Sequence, residues 1–408
     1  MTGAKIGFRD LVRAGGGPRY AVALGVDALG TGLLRPFLLL YGIKVLALSA
    51  PAAGAAMTAG IVVGLGAMPF VGRWLDRGAR STVVAAAMLV RVVGTVVLLA
   101  APAGEVGPFA AACLFLGIGN QAWPAAHAAL VATVAEGRVR DAALAAARSV
   151  RNAGLGVGAL VAMGALAGGA SALRVVAAVT GVSYLVAAGL AWSVRVRAES
   201  VSAGSASGPA GSGSADADGL AAVPSEPAPR MGALLAANVV YVFCLNVPEI
   251  ALPLVLVTQL HASAAWSAGI FVANTVLVVA LQVVVTVWMA RFARRTALAI
   301  SGVILAASYL GFLAATPLGG GWGAPVIAAV SVVCTLGEIV YAGTATPLVT
   351  AIAPPRALGR ALARFQLSTG FGLAVSPAAI TTLAAAGPAA LWGTLAAATL
   401  VSAAAVAR

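Results

Sequence analysis

Seven ionisable residues stand in long apolar runs of this sequence, the acids Asp27, Glu249 and Glu338 and the bases Arg35, Arg91, Arg148 and Arg151. A charge at the centre of a bilayer costs roughly 2.5–3.5 kcal/mol on insertion scales, so each needs a partner or a task. Two kinds of chemistry are open to such groups: an ion pair that forms and breaks, or the binding and release of a proton. Glu338 has no basic residue at its predicted depth. Burial without a partner favours the neutral form of a carboxyl, which suits a group that takes up and releases a proton. Glu338 is therefore the first candidate for proton coupling and Asp27 the second. The alternative is that Glu338 stays protonated and hydrogen-bonds a neighbour.

Depth suggests pairings, at about 1.5 Å of rise per residue. Asp27 lies roughly 10 Å and Arg91 roughly 15 Å from the same end of their helices, so they are expected to pair. Arg35 and Glu249 lie roughly 22 and 27 Å along theirs, each beside a proline, Pro36 and Pro248. They are expected to meet as a gate on the far side. Other polar and aromatic residues of the runs are Asn120, Gln121, Trp123, His127, Asn246 and Tyr341. His127 reads first as a hydrogen-bonding helix residue, and Trp123 and Tyr341 either face a cavity or pack.

The elements that must position these groups are membrane spans. Hydrophobic residues make up 61% of the chain and charged residues 9%, with a mean hydropathy of +1.01. A soluble surface needs roughly a quarter of the residues charged. Runs near the bilayer-crossing length of about 20 residues recur along the chain. They predict helices at 20–43, 52–72, 81–101, 107–133, 142–167 and 172–193, then 231–257, 264–289, 297–316, 323–350, 360–386 and 388–407. The N-terminal run is too long for a signal sequence and is expected to be a retained first helix. Residues 198–230 are Ser, Gly, Ala and Pro with four acids and no apolar period. They predict a flexible cytoplasmic linker between a six-helix bundle at 1–197 and another at 231–408.

The net charge of +13 falls in short clusters between runs, not on a basic face with interleaved aromatics, so nucleic acid is not an expected partner. Arg73, Arg77 and Arg80, Arg138 and Arg140, Arg195 and Arg197, Arg291, Arg294 and Arg295, and Arg356, Arg360 and Arg364 follow the even-numbered helices. The alternate loops carry only Lys44 and Arg174. By the positive-inside rule both termini are cytoplasmic in an inner (cell) membrane. Cys113, Cys244 and Cys334 sit singly in apolar runs and suit neither a disulfide framework nor a zinc site. Two histidines and no acidic pair within the membrane leave no catalytic constellation, so the chain is not expected to be an enzyme or to hold a metal or cofactor.

The stretches beginning at Leu130 and Leu348 align without gaps. Besides alanines they match Leu130 with Leu348, Val131 with Val349, Arg138 with Arg356, Leu144 with Leu362 and Gly154 with Gly372. The arginines follow the fourth helix of each half, which favours an internal repeat; chance in a biased composition is the alternative.

The loop after predicted helix 2 reads Gly72-Arg73-Trp74-Leu75-Asp76-Arg77-Gly78-Ala79-Arg80. It resembles the G-x-x-x-D-R-x-G-R signature of the major facilitator superfamily. Asp27 to Gly32, Arg148 to Gly154, and Gly359-Arg360 with Phe365 to Ser368 and Ser376-Pro377 agree with that family. Ala79 replaces the usual second glycine, and the corresponding loop of the second half, Arg291 to Arg295, has lost its acid. The resemblance implies an all-α fold of twelve helices in two pseudo-symmetric six-helix bundles. It implies a cavity lined by helices 1, 4, 7 and 10, which carry the three acids and the polar residues above. It also implies that Asp76 and Arg77 contact the other half and hold the cytoplasmic side shut. A plain reading of Asp76 is a cap at the start of helix 3. Helices 5, whose glycines are Gly154, Gly156, Gly158 and Gly164, and 11 are implied to help join the halves.

The expected function is secondary transport of a small molecule by a monomer in the bilayer, driven by a proton gradient. Similarity to the drug/proton antiporter branch favours efflux of an amphipathic compound. Uptake of a metabolite is the alternative, and the permease of an ATP-driven complex is the third reading, with no Walker A loop in this chain.

Overall fold

The computed structural model describes residues 8–78, 80–165, 169–194 and 231–407. The expected linker, Arg195, Arg197 and Ala79 lie outside the described residues. A short helix α1 (Phe8–Ala14) precedes the first long rod, which it joins through Gly16 and Gly17, both at positive φ. The first half continues with α2 (Pro18–Leu34), α3 (Leu38–Lys44), α4 (Ala50–Gly66), α5 (Met68–Asp76), α6 (Arg80–Ala100), α7 (Val106–Val134), α8 (Gly137–Ala165) and α9 (Gly169–Trp192). The second half holds α10 (Met231–Tyr241), α11 (Leu252–Thr258), α12 (Ala264–Met289), α13 (Arg294–Ala315), α14 (Gly319–Ile352), α15 (Leu358–Ala385) and α16 (Pro388–Ala407). Among the described residues ten stretches are long and apolar enough to cross a membrane, three of them built from the pairs α2–α3, α4–α5 and α10–α11. The 29-residue helices α7 and α8 pack along them, which makes twelve rods.

Three rods expected to be continuous are broken, and prolines mark the breaks. A 3-10 turn over Arg35–Phe37 contains Pro36, and Pro69 opens α5 just past the break at Ala67. The seventh rod passes through a 3-10 segment, Val242–Asn246, and a π turn, Val247–Ala251, that holds Pro248. Proline lacks the N–H that the α-helical ladder needs and collides with the preceding turn. The fifth rod, in contrast, starts earlier than expected, at Gly137 instead of 142. Its polar first turns stay helical, and Arg148 is carried about 16 Å along the rod.

Helix pairings repeat between the halves. The first rod packs on the fifth (α2 on α8) and the seventh on the eleventh (α10 on α15). Rods one and six, three and four, three and six, and two and four pair likewise, and each pairing recurs among rods seven to twelve. The seam between halves obeys the same symmetry: α8 packs on α12 and α14, and α15 on α4, α5 and α7. The residues matched in sequence occupy matching places. A Cβ on Gly154 would stand 2.6 Å from Ala28 of α2, and one on Gly372 would meet Val242 and Val239 of the seventh rod. Glycine permits these close approaches, which supply van der Waals contact where lipid offers no hydrophobic drive. Ile61, Val62, Phe70, Leu160, Val175 and Val401 are exposed, as suits side chains that face lipid.

Candidate functional site

On the face where the basic clusters lie, Asp76 ends α5 and reaches the other half. Its Oδ1 accepts from the backbone N–H groups of Gly359 (2.6 Å) and Arg360 (3.3 Å), and its Oδ2 from Arg360 Nε (2.7 Å). The carboxylate thus caps the start of α15, not that of α6 as the plain reading held. Gly72 and Gly359 make the approach possible. A Cβ on Gly359 would lie 2.5 Å from Leu75 Cβ and 2.6 Å from the Gly72 carbonyl oxygen. Arg77, expected to share this contact, is exposed and enters no ion pair among the described residues; the partner of Asp76 is Arg360. A second tie on this face joins Asp141 at the start of α8 to Arg294 at the start of α13, at 2.7 Å. A cavity of about 300 Å³ opens beside it, lined by residues of both halves that include Arg138, Thr286, Phe292 and Pro347.

Deeper in the first half, Asp27 of α2 is fully buried and meets Arg91 Nη2 of α6 at 2.5 Å. Arg91 Nη1 donates to Thr31 Oγ1, and its guanidinium lies 4.5 Å from the Tyr184 ring. Arg151 of α8 approaches the other oxygen of Asp27 at 3.6 Å and lies 4.3 Å from the Trp123 ring. Trp123 stacks on His127, and His127 Nδ1 pairs with the Tyr20 hydroxyl at 2.8 Å. Trp123 and His127 are accordingly packed inside the first half.

The second half holds a node at the matching place. Asn238 of α10 donates to Ser368 and Thr369 of α15 and accepts from the Tyr341 hydroxyl at 2.7 Å. Tyr341 also stacks on Tyr241, so it too packs within its half. Asn246 donates to Ser376.

Across the seam, Arg148 Nη2 stands 3.7 Å from Glu338 Oε1. This corrects the expectation that Glu338 has no basic partner at its depth. The early start of α8 lifts Arg148 to the level of Glu338 on α14. The Glu338 side chain is 9% exposed and that of Arg148 31%. At the symmetry-related place Gln366 of α15 donates to Gln121 of α7 at 3.1 Å. Asn120 is half-buried, and its Oδ1 finds no hydrogen-bond donor among the described residues.

The expected Arg35–Glu249 pair is not formed. Both residues are exposed and feel each other's charge without an ion pair within 4 Å. The breaks at Pro36 and Pro248 place both on interrupted turns, and among the described residues no ion pair joins the halves on this face. Among the described residues no group of three or more His, Cys, Asp or Glu could hold a metal ion.

Arg360, Gly359, Asp141, Arg294, Gln366, Asn238 and Tyr20 were not marked as site residues by sequence. Two signals existed: Gly359-Arg360 stands in a stretch that agrees with the family, and Asp141 is an acid in a basic turn.

The sequence profile of the Major Facilitator Superfamily matches residues 20–377. Among curated protein sequences none matches the chain. A bacterial homologue of iron transporter ferroportin in outward-facing state superposes with a TM-score of 0.76 at 14% identity, covering 95% of this chain and 97% of that one. The human organic anion transporter MFSD10 gives 0.69 at 14%, with 95% and 98% covered. FucP in the outward conformation gives 0.67 at 14%, with 95% and 96% covered. At such identities these likenesses speak for the fold alone.

Proposed function

The chain belongs to the Major Facilitator Superfamily, whose members are transporters, and on that premise we propose that it is a proton-coupled secondary transporter working by alternating access. The observation that carries the coupling is the Arg148–Glu338 pair, a carboxylate and a guanidinium from opposite halves at 3.7 Å. Protonating Glu338 removes its charge and its attraction to Arg148, so the proton acts on a contact that bridges the moving bodies. At this distance the pair is weaker than the tight Asp27–Arg91 bond, as a contact that must break in each cycle should be.

The ties at Asp76–Arg360 and Asp141–Arg294 favour a state closed on the basic face, while Arg35 and Glu249 stand apart on the other. With the basic face cytoplasmic by the positive-inside rule, in a cell membrane, this is an outward-open state. Glu338, nearly buried at the seam, would take up a proton from the outer side in this state as substrate leaves. That order makes the chain an exporter of a small amphipathic molecule.

A thermal-shift screen of purified protein supplies a substrate for the test. Protein reconstituted alone in liposomes is then given an imposed pH gradient without ATP. The expected result is gradient-driven substrate movement that Glu338→Gln abolishes while substrate exchange persists. Movement that needs ATP, or that ignores the gradient, would sink the proposal.

A further inference from the structure

The acids and bases of the polar layer do not balance where they face the seam. Asp27 is fully buried and already bound to Arg91 at 2.5 Å, with both side chains at 0% exposure. That pair presents no net charge. Glu338 sits opposite Arg148. Arg151 shares Asp27 with Arg91, so these three side chains together carry one positive charge in excess. The 3.6 Å ion pair of Arg151 with Asp27 is too long for a hydrogen bond, and the buried Nη1 of Arg151 has no hydrogen-bond acceptor among the described residues. Arg148 Nε is likewise buried with no acceptor. Arg35, which is exposed, adds a third cation close enough for its charge to act on Arg151. Glu249, which is also exposed, is the acid set against that excess.

Arg148 and Arg151 are three residues apart on α8 and so neighbour each other on its surface. The Trp123 ring lies 4.3 Å from the Arg151 guanidinium. A ring that holds a guanidinium by its face leaves the N–H edge free, and that edge matches the two oxygens of a carboxylate or an oxoanion. Two buried cationic donors without acceptors are costly unless something binds them.

We infer that the substrate carries an anionic group, a carboxylate, sulfonate or phosphate, which Arg151 and Arg148 hold between the halves. The inference rests on the transport reading for its setting and names the class of molecule carried.

The test needs no transport and no known substrate, so its failure is distinct from failure of proton coupling. Asn152, half-buried beside Arg151 and one turn along α8 from Arg148, is replaced by cysteine. The purified protein is labelled with an anionic reagent, 2-sulfonatoethyl methanethiosulfonate, or a cationic one, 2-(trimethylammonium)ethyl methanethiosulfonate. Each rate is normalised to that with free mercaptoethanol, and the parent protein, whose Cys113, Cys244 and Cys334 are buried, is the blank. The expected preference for the anion is about tenfold, the lower end of electrostatic focusing in a cleft. Arg151→Gln and Arg148→Gln should each lower that preference severalfold, while Arg151→Lys should keep most of it. Equal rates, faster labelling by the cation, or an unchanged ratio in both glutamine variants would overturn the inference. Absence of labelling by either reagent would also overturn it, because the site would then be closed to solutes.

Discussion

The two halves fold alike and carry different charges at the same node. The register that pairs Leu130 with Leu348 also pairs Trp123 with Tyr341, Arg151 with Thr369, Asn120 with Glu338 and Arg148 with Gln366. In the first half the node is ionic: Asp27 binds Arg91 and Arg151, and Trp123 backs Arg151. In the second it is neutral: Asn238 bonds Ser368, Thr369 and Tyr341. The seam repeats the contrast, with Arg148–Glu338 on one side and Gln366–Gln121 on the other. A neutral network suffices to tie the first rod of a half to its fifth. The buried charges of the first half are therefore more than packing requires, and in a membrane that excess points to function.

The contrast predicts unequal losses. Arg91→Met leaves the fully buried Asp27 carboxylate with only the longer, 3.6 Å pair to Arg151, and should destabilise the protein by about 3–5 kcal/mol. Asn238→Ala removes neutral hydrogen bonds and should cost about 1–3 kcal/mol. Denaturant unfolding in detergent, followed by helical signal, measures both. Equal losses would remove the distinction between the nodes.

The ties on the basic face come next in size. Asp76→Asn gives up the charge that holds Arg360 and weakens the cap on α15. Arg360 is more than half exposed, so the closed state should lose only about 1–2 kcal/mol, a shift of roughly five- to thirtyfold in population. Gly359→Val should do more to the geometry, because any Cβ there meets Leu75 and Gly72. Spin labels at the basic-face ends of α5 and α15 should move apart in both variants. An unchanged distance distribution would mean that these contacts do not hold that face closed.

Much of this fold was legible in the sequence because lipid imposes a simple rule on long apolar rods. Run length and the basic clusters located the rods, and the acids on predicted helices 1, 7 and 10 marked the polar layer. The shared depth of Asp27 and Arg91 anticipated their pairing. Glu338 was misread because the predicted fifth helix began at 142. The polar turn over Gly137–Asp141 lacks an apolar signal, yet it is helical and carries Arg148 deeper. The family resemblance of the loop implied that Asp76 reaches the other half, as it does; a carboxylate four residues before a helix suggests by itself only the local cap, while Gly72 and Gly359 let a distant N-terminus come nearer. The unformed Arg35–Glu249 gate has a different cause. Depth along separate rods cannot tell whether the halves lean together on that face.

The seam offers the finest test of the comparison, because its two contacts join corresponding helix pairs, one through an ion pair and the other through a neutral hydrogen bond. Reversing one member, Arg148→Glu, places two carboxylates together and should abolish gradient-driven transport. The exchanged pair, Arg148→Glu with Glu338→Arg, restores attraction and should recover a measurable fraction. Gln366→Ala takes away a single neutral hydrogen bond to Gln121, worth about 0.5–1.5 kcal/mol. Its removal should change the transport rate by severalfold at most and leave the proton-to-substrate ratio untouched. The ratio is the decisive readout. If Gln366→Ala uncouples proton from substrate as Arg148→Glu does, coupling belongs to the seam as a whole. If it slows turnover alone, the charge at Glu338 is what distinguishes a coupling contact from a hinge contact, on two helix pairs that are otherwise built alike.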